Sequence, residues 1–334
     1  MKKGLIISTI LAMTLVLGLT VIACDEDDDN EGLPMGPKWT TVSNPPLGGK
    51  YFDIAFGDGK FIVVGHGGHD SAMAYSTDGV NWTKINNYIS SIYRIPEAIA
   101  YGNGRWVTGD DYLTSTDGIN WNVATKTPSI SNISKIAYGN GKFVAIGGQN
   151  KIAYTTDGLS WEMVSNPPSV YLQDIAYGGG KFIAVGRKIN GDDTYGNAVV
   201  ASSEDGISWT TVSPSLFGDS LDCIAYGGGK FVASGGATAY SSDGISWKQI
   251  IGKEEGSGYS GVHYSGFKCI AYGNGKWMAI VDSSCIAYSS DGINWTPAFN
   301  PPDIFGFLRA TYGNGKFIVV TGEGGGGGMA YSTQ

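Results

Sequence analysis

The stretch "IAYGNGKFVAIGGQNKIAYTTDGLSWEMV", residues 136–164, contains the pattern that decides the fold. Four short runs of β-forming residues are separated in it by Asn-Gly, by a polar segment and by Asp-Gly. Asn-Gly and Asp-Gly tolerate the positive φ values that a two-residue hairpin turn requires. The stretch therefore predicts four antiparallel strands joined by tight turns.

The first of these turns recurs seven times and could be mistaken for a phosphate-binding loop. A loop of that kind has four residues between its glycines and a helix behind it whose N-terminus faces the anion. Here each copy is followed by a β-forming run such as residues 143–147, which favours a hairpin. The central pairs are Asp58-Gly59, Asn103-Gly104, Asn140-Gly141, Gly179-Gly180, Gly228-Gly229, Asn274-Gly275 and Asn314-Gly315.

The second turn, Ser/Thr-x-Asp-Gly-x-x-Trp, recurs six times. Its Ser or Thr and its Asp can hydrogen-bond nearby backbone, and its Trp can form an apolar wedge against the next sheet. With 52 glycines in 334 residues, and no helical apolar periodicity beyond the first segment, the chain is predicted to be all-β. The structural aspartates of this turn are Asp78, Asp117, Asp157, Asp205, Asp243 and Asp291.

The spacing of the repeat predicts a closed ring. Four-strand units that recur every 38 to 48 residues are typical of a β-propeller. The seventh unit stops at residues 330–334, where its Asp turn and fourth strand should begin, and residues 38–42, "KWTTV", match the fourth-strand text "SWTTV" at 208–212. We therefore predict a seven-bladed β-propeller of four-stranded antiparallel blades, closed by an N-terminal strand.

The first 23 residues differ from the rest. Two lysines precede an apolar run over residues 5–22, which is typical of a signal peptide. Residues 21–24, "VIAC", resemble the lipobox of bacterial lipoproteins, which implies that Cys24 is acylated; an ordinary secretory signal or an uncleaved anchor is the alternative. The predicted organisation is a lipoprotein signal peptide at 1–23, an acidic lipid-anchored tether at 24–36 and the propeller at 37–334.

The charge of the chain bears on its partners and location. The run "DEDDDNEG" after Cys24 should stay solvated and extended. Removal of Lys2 and Lys3 would take the formal charge from −8 to −10, which argues against nucleic acid as a partner. Acidic residues after the lipidated Cys resemble surface-export signals of some Gram-negative lipoproteins, although in other groups an Asp there implies inner-membrane retention. We expect the bacterial cell envelope, at the outer membrane or cell surface.

The remaining cysteines and the histidines predict neither metal nor cofactor. Cys223, Cys269 and Cys285 each precede an "IAY" run, so they are expected to be small apolar strand residues. A Cys223–Cys269 bridge between neighbouring sheets is the alternative, and no Cys-x-x-Cys spacing is present. His66 and His69 in "HGGHD" could hold a metal, but the glycines between them fix no geometry, and solvated loop histidines are the alternative.

The Asp-Gly turns carry a family resemblance. They resemble a short form of the Asp-box, or bacterial neuraminidase repeat, of sialidases, xyloglucanases, sortilin receptors and photosystem II assembly factors, and the resemblance covers residues 39–334. The usual motif has one more residue between Asp and Trp. The resemblance implies a structural Asp turn remote from any active site, and it does not choose among hydrolases, receptors and scaffolds.

Alternating connections give the ring two different faces. All Gly turns and Asp turns should share one face, the fixed face; the loops that vary should share the other, the variable face, where function is usually placed. Aromatic side chains near these loops could stack on sugars or grip a peptide, although about half of them are expected to fill gaps between blades. They are Tyr88, Tyr93, Tyr171, Tyr195, Tyr259, Tyr264, Phe267, Phe305 and Phe307.

The residue before each "IAY", or its variant, changes from unit to unit while its neighbours stay fixed. Four of these residues are charged, and we expect them to surround the central channel on the variable face: Asp53, Lys135, Asp174 and Arg309. The complete set of candidate ligand-binding residues is Asp53, Arg94, Lys135, Tyr171, Asp174, Arg187, Tyr195, His263, Tyr264 and Arg309.

One tetrapeptide suggests chemistry. Residues 93–96, "YRIP", are similar to a sialidase motif whose Arg grips the substrate carboxylate, which would make Arg94, Arg187 and Arg309 a triad. The segment lies ahead of the second blade rather than the first, and neither a nucleophile pair nor spaced carboxylates accompany it. A chance match is the alternative, and no catalytic residue is predicted.

These observations predict a lipid-anchored binding or scaffold propeller. Its variable face would recognise a glycan, a peptide or an envelope protein, with no cofactor and no chemistry of its own. The alternative is a sialidase-like or other glycoside hydrolase.

Overall fold

The structure of the protein is a computed structural model. Its described residues contain no helix long and apolar enough to cross a membrane. Cys24 and the predicted signal peptide and tether lie outside them. The described ranges are 37–67, 70–86, 95–110, 112–127, 130, 132–148, 150–189, 195–212, 214–218, 220–250, 266–281, 285–298, 302, 304–322 and 327–333.

Seven four-stranded antiparallel sheets form the blades, which confirms the predicted architecture. The first strand of each blade lies innermost. Blades 1 to 3 consist of β2 (Tyr51–Gly57), β3 (Lys60–Gly67), β4 (Asp70–Ser76), β5 (Thr83–Ile85); β6 (Ile99–Gly102), β7 (Arg105–Thr108), β8 (Leu113–Ser115), β9 (Asn122–Val123); and β10 (Ile133–Gly139), β11 (Lys142–Gly147), β12 (Lys151–Thr155), β13 (Glu162–Met163).

Blades 4 to 7 repeat the same order, and one short 3₁₀ turn, Ser215–Phe217, joins blades 4 and 5. Their strands are β14 (Val170–Gly178), β15 (Lys181–Ile189), β16 (Tyr195–Ser203), β17 (Thr210–Val212); β18 (Leu221–Gly227), β19 (Lys230–Gly235), β20 (Thr238–Ser241), β21 (Lys248–Gln249); β22 (Cys269–Gly273), β23 (Lys276–Ile280), β24 (Ile286–Ser289), β25 (Thr296–Pro297); and β26 (Phe307–Gly313), β27 (Lys316–Thr321), β28 (Met329–Thr333) with β1 (Lys38–Thr41).

The N-terminal strand closes the ring as predicted. β1 pairs antiparallel with β28, with Lys38 opposite Thr333 and Thr41 opposite Ala330. Val42 extends the ladder by donating its N–H to Met329 O at 2.8 Å, and its side chain is buried. The two ends of the chain therefore build blade 7 together.

The Gly turns adopt the predicted hairpin geometry. Asn140 and Gly141, for example, have φ values of 45° and 74°, and all seven pairs have two positive φ values. The glycine that ends each inner strand has a different role, because a Cβ on Gly139 would lie 2.0 Å from the ring of Tyr177 in the next blade. The same contact recurs around the ring and ends with Phe56 on Gly313, so these glycines let neighbouring blades approach closely.

The Asp turns are stabilised by the predicted side-chain contacts to backbone. In blade 1, Ser76 Oγ accepts the N–H of Gly79 at 2.8 Å, and Asp78 Oδ1 accepts the N–H groups of Val80 and Asn81 at 2.8 Å each. Trp82 Nε1 donates to Gly79 O at 3.2 Å. The carboxylate thus satisfies amides inside its own turn.

The core consists of seven apolar layers between neighbouring blades. The Trp of each Asp turn belongs to a layer shared with the preceding blade, not with the next sheet as predicted. Trp121 of blade 2 packs with Ile62 and Val64 of blade 1, and Trp161 of blade 3 packs with Val107 of blade 2. The Trp side chain lies on the face of its blade that the preceding blade covers, and the turn motif itself does not encode which face that is.

Candidate functional site: the mouth of the central channel

The inner strands enclose a central cavity of about 310 Å³. All four charged residues predicted to surround it do line it: Asp53, Lys135, Asp174 and Arg309. They lie near the starts of their strands, and each strand then runs to a Gly turn on the fixed face. The mixed charges therefore lie toward the variable face, as expected.

Three further polar residues line the cavity and were missed from the sequence: Gln173, Asp222 and Lys268. Each precedes the predicted position by one residue. In blades 4 and 5 the register of the inner strand shifts at this point, between Leu172 and Asp174 and between Leu221 and Cys223. Two residues then oppose one on the partner strand, and such a bulge re-aims side chains. A bulge leaves no turn residue as a signal, so the repeat pattern alone could not find these residues.

A short ion pair crosses the channel between alternate blades. Lys135 Nζ of blade 3 lies 2.5 Å from Asp53 Oδ1 of blade 1. The equivalent residue of blade 2, between them, is Ala98, which is buried in the core and does not line the cavity. Asp53 Oδ2 accepts the N–H of Ile99 at 3.1 Å, so the buried carboxylate has partners on both oxygens.

Asp174 occupies the same register in blade 4 and uses its carboxylate in the same way. It accepts the N–H of Ile175 and that of Ile224 in blade 5, each at 2.9 Å. Removal from bulk water raises the pKa of Asp174, and the positive charges of Lys135 and Arg309 oppose this. An aspartate at this register therefore ties its own blade to the next.

The cysteines of the register behave differently from the aspartates. Cys223 is buried, with Sγ 3.1 Å from Phe267 O, and Cys269 lines the channel; both are free thiols, so the alternative of a bridge between them is not realised. Burial raises the pKa of the Cys269 thiol, and the nearby charge of Arg309 partly offsets this. Cys285 is buried in the layer between blades 5 and 6.

The remaining candidates lie away from the cavity or outside the described residues. Tyr171 lies opposite Arg187 on blade 4, whose guanidinium carbon lies 5.2 Å from the centre of the Tyr171 ring. Neither residue lines the cavity that Arg309 lines. Arg94, His263 and Tyr264, the side chain of Tyr195, and the predicted loop aromatics Tyr88, Tyr93 and Tyr259 lie outside the described residues.

The other loop aromatics lie mainly in the interior. Phe267 and Phe307 are buried between blades, whereas Phe305 is 65% exposed. His66 lies 5.5 Å from the ring of Phe52, and its proposed metal partner His69 is outside the described residues. Among the residues that the structure describes, no cluster of three or more His, Cys, Asp or Glu could hold a metal ion.

Comparisons with known proteins identify the fold of this chain but neither its family nor its function. No protein-family model matches the sequence, and no curated protein matches it. YCF48 bound to D1 peptide matches with a TM-score of 0.65 at 15% identity, over 90% of this chain and 98% of that one. Virginiamycin B lyase from Staphylococcus aureus matches with a TM-score of 0.65 at 11% identity, over 90% of this chain and 99% of that one. U3-55K matches with a TM-score of 0.64 at 10% identity, over 90% of this chain and 100% of that one. The chain therefore has the propeller fold of proteins with different names and roles.

Proposed function

We propose that this chain is a binding or scaffold propeller that recognises a peptide or protein at the channel mouth on its variable face. The observation that carries the proposal is the residue that precedes the "IAY" run, or its variant, on the inner side of each blade: seven equivalent backbone positions hold Asp, Ala, Lys, Asp, Cys, Cys and Arg. The hairpin turns that end the same inner strands repeat almost unchanged. Variation at one register of a repeated frame is what a specific ligand would require.

A peptide fits this site better than a glycan does. Sugar recognition uses exposed aromatic faces, and of the described loop aromatics only Phe305 is largely exposed. The channel instead offers charges of both signs and an amide, from Lys135, Asp222 and Gln173, which suit the groups of a polypeptide. YCF48, which has the same fold, is bound to a peptide in its solved structure.

We further propose that residues 1–36 anchor the protein in the cell envelope through lipid on Cys24. β1 begins beside Thr333, at the end of β28 where other blades have their Asp turn. The chain therefore enters the ring on the fixed face, and a tether there would leave the variable face pointing away from the membrane. A Cys24→Ala variant should lose lipid labelling and membrane retention. Retention of both would refute the anchor.

Site-directed photo-crosslinking of the full chain tests the binding site. A photoreactive residue in place of Gln173, at the channel mouth, should crosslink to a defined peptide or protein. The same residue in place of Asn140, in an exposed fixed-face turn, should not. Equal crosslinking from both positions, or none from either, would refute recognition at the channel mouth. A glycan array with the same protein tests the sugar alternative.

The competing function is a sialidase-like or other glycoside hydrolase. No geometry of the described residues favours it, because Arg309 lines the channel whereas Arg187 lies over Tyr171 outside it. Turnover of a fluorogenic sialoside by the full chain, abolished by Arg94→Ala, would replace the binding proposal with this one.

A further inference from the structure

Arg309 is paired differently from Lys135, the channel cation that forms an ion pair with Asp53. It sits in β26 of blade 7, where the register shifts between Phe307 and Arg309, and its half-buried side chain lines the cavity. Within the described part of the chain, its one hydrogen bond runs from Nη1 to Leu308 O at 3.2 Å. Its Nε is buried and donates to no acceptor there.

The carboxylates of the channel are already engaged by other groups. Asp53 pairs with Lys135. Asp222 Oδ1 accepts Gln173 Nε2 at 3.1 Å. Asp174 accepts two backbone amides. Hence, although three aspartates line the cavity with Arg309, none forms an ion pair with it among the described residues. A guanidinium that lines a cavity without a carboxylate partner is suited to bind an anionic group from a ligand.

The accessible part of the guanidinium selects the chemistry of the acceptor. Nε is buried and Nη1 donates to Leu308 O, so Nη2, which makes no hydrogen bond within the described residues, is the nitrogen left to meet a carboxylate in the cavity. A dianion such as phosphate is disfavoured, since the negative charge of Asp174 interacts with the same guanidinium. A cavity of about 310 Å³ admits the end of a peptide, not a folded domain.

We propose that Arg309 binds a single carboxylate that enters the channel from the variable face, carried on a peptide as its C-terminus or as an Asp or Glu side chain. This inference rests on the proposed function and names the group that the channel mouth recognises. The carboxylate accepts its hydrogen bonds from Nη2. The ion pair of Lys135 and Asp53 stays intact beside it.

The chain has only four arginines, Arg94, Arg105, Arg187 and Arg309. Ligand binding at Arg309 can therefore be followed by NMR through its own Nε–H resonance. The full chain would be labelled with ¹⁵N-arginine, and the Arg309 signal assigned by its loss in Arg309→Lys. The first probe is N-acetyl-Ala-Ala with a free C-terminus, the second N-acetyl-Ala-Glu-amide, and the matched control N-acetyl-Ala-Ala-amide. The two acidic probes separate a C-terminal from a side-chain carboxylate.

We expect at least one acidic probe to shift the Arg309 Nε–H signal saturably, and the neutral amide to bind at least tenfold more weakly. Arg309→Lys, which keeps the charge but lacks the planar fork, should lower the affinity for the acidic probe at least tenfold. Arg105→Lys is the matched control, because Arg105 lies at a fixed-face turn and donates to Thr114 Oγ1 at 3.2 Å. It should leave the affinity unchanged.

An Arg309 signal that ignores both acidic probes, or that shifts equally with the amide, would overturn the inference. Crosslinking from position 173 is also measured in the wild type and in Arg309→Lys. This separates the proposal of partner binding at the channel mouth from the proposal that Arg309 binds a carboxylate. Crosslinking without a carboxylate response would refute the role of Arg309 and leave the binding function standing. A carboxylate response without any crosslinking would refute the peptide-binding function while confirming that the guanidinium takes a carboxylate.

Discussion

The Asp turns of the fixed face and the charged register of the channel lie at opposite ends of the blades and are held in opposite ways. An Asp turn is closed by contacts no more than three residues apart, such as Asp157 with Ser160. The channel contacts join residues far apart in sequence: Asp53 with Lys135, 82 positions away, and Asp174 with Ile224, 50 away. The turns can therefore form locally, whereas the channel exists only when the ring is complete.

This comparison also separates scaffold from site. The turns repeat the same Asp, Gly and Ser or Thr because each forms the same tight turn and must provide acceptors for the same backbone N–H groups. The channel register changes from blade to blade on the same backbone. Repetition thus marks what the fold needs, and variation marks where we propose that a partner is recognised.

The largest effect should come from opening the ring, on which both regions depend. Deleting residues 38–42 removes the β1 ladder and the burial of Val42, so the free energy of unfolding should fall by more than the roughly 2 to 5 kcal/mol of a core truncation. Chemical denaturation of the full chain measures this loss. Replacing the exposed Lys38 and Thr40 by other β-forming residues is the control, and an unchanged midpoint for the deletion would refute ring closure.

A smaller effect is expected from breaking the ion pair across the channel. Asp53→Asn leaves Lys135 Nζ without its carboxylate, and because the lysine is partly exposed the cost should be about 2 kcal/mol. Thermal melts of the wild type, Asp53→Asn, Lys135→Met and the double variant form a double-mutant cycle, which measures the coupling free energy of the pair. Additive losses would show that the two residues are not coupled and that the channel register has no long-range role.

The next largest loss of stability is expected from a substitution in one Asp turn. Asp157→Ala removes the acceptor for the N–H groups of Leu159 and Ser160 and should cost about 1 kcal/mol, as the loss of a helix cap does. The exposed neighbour Thr156→Ala is the control. A loss as large as that of the ion pair would contradict the local character of the turn.

The same turn should show a defined pH dependence. The Ser160 N–H, donating to Asp157, lowers the pKa of that carboxyl. A carboxyl with a folded pKa below its unfolded value of about 4 contributes stability above that pH, and this is lost as the pH falls. The destabilisation caused by Asp157→Ala should therefore become smaller as the pH falls below about 4. A difference in stability between the wild type and Asp157→Ala that stays constant as the pH falls would contradict a lowered pKa for this carboxyl.

The smallest effect is predicted for Asp174, and its sign is opposite. Desolvation raises the pKa of Asp174, so its charge costs stability once the pH rises through the folded pKa. Asp174→Asn keeps an acceptor for the Ile224 N–H and should leave stability at pH 7 unchanged or up to about 1 kcal/mol higher. A loss as large as that of Asp53→Asn would show that Asp174 is stabilised by its neighbouring charges after all.

The sequence predicted what local chemistry controls. Asn140-Gly141 and its equivalents require positive φ, which predicts the hairpins, and the unfinished seventh unit predicts the pairing of β1 with β28. The partner of Lys135 could not be predicted, because it lies two blades away and the pair forms only across the closed ring. Gln173 and Lys268 were missed because side-chain direction at the channel mouth is set by strand entry and bulging, which the repeat does not record.

The composite seventh blade determines how the molecule would carry mechanical load. β1 begins at the fixed face and runs toward the variable face, antiparallel to β28. A pull on the chain before Lys38, opposed by a partner held at the channel mouth, would act along the axis of β1. Ladder hydrogen bonds lie perpendicular to the strand, so all four paired registers would be strained together in shear instead of opening one at a time. The strand that closes the ring is thus oriented to resist extension between an attachment on one side and a bound partner on the other.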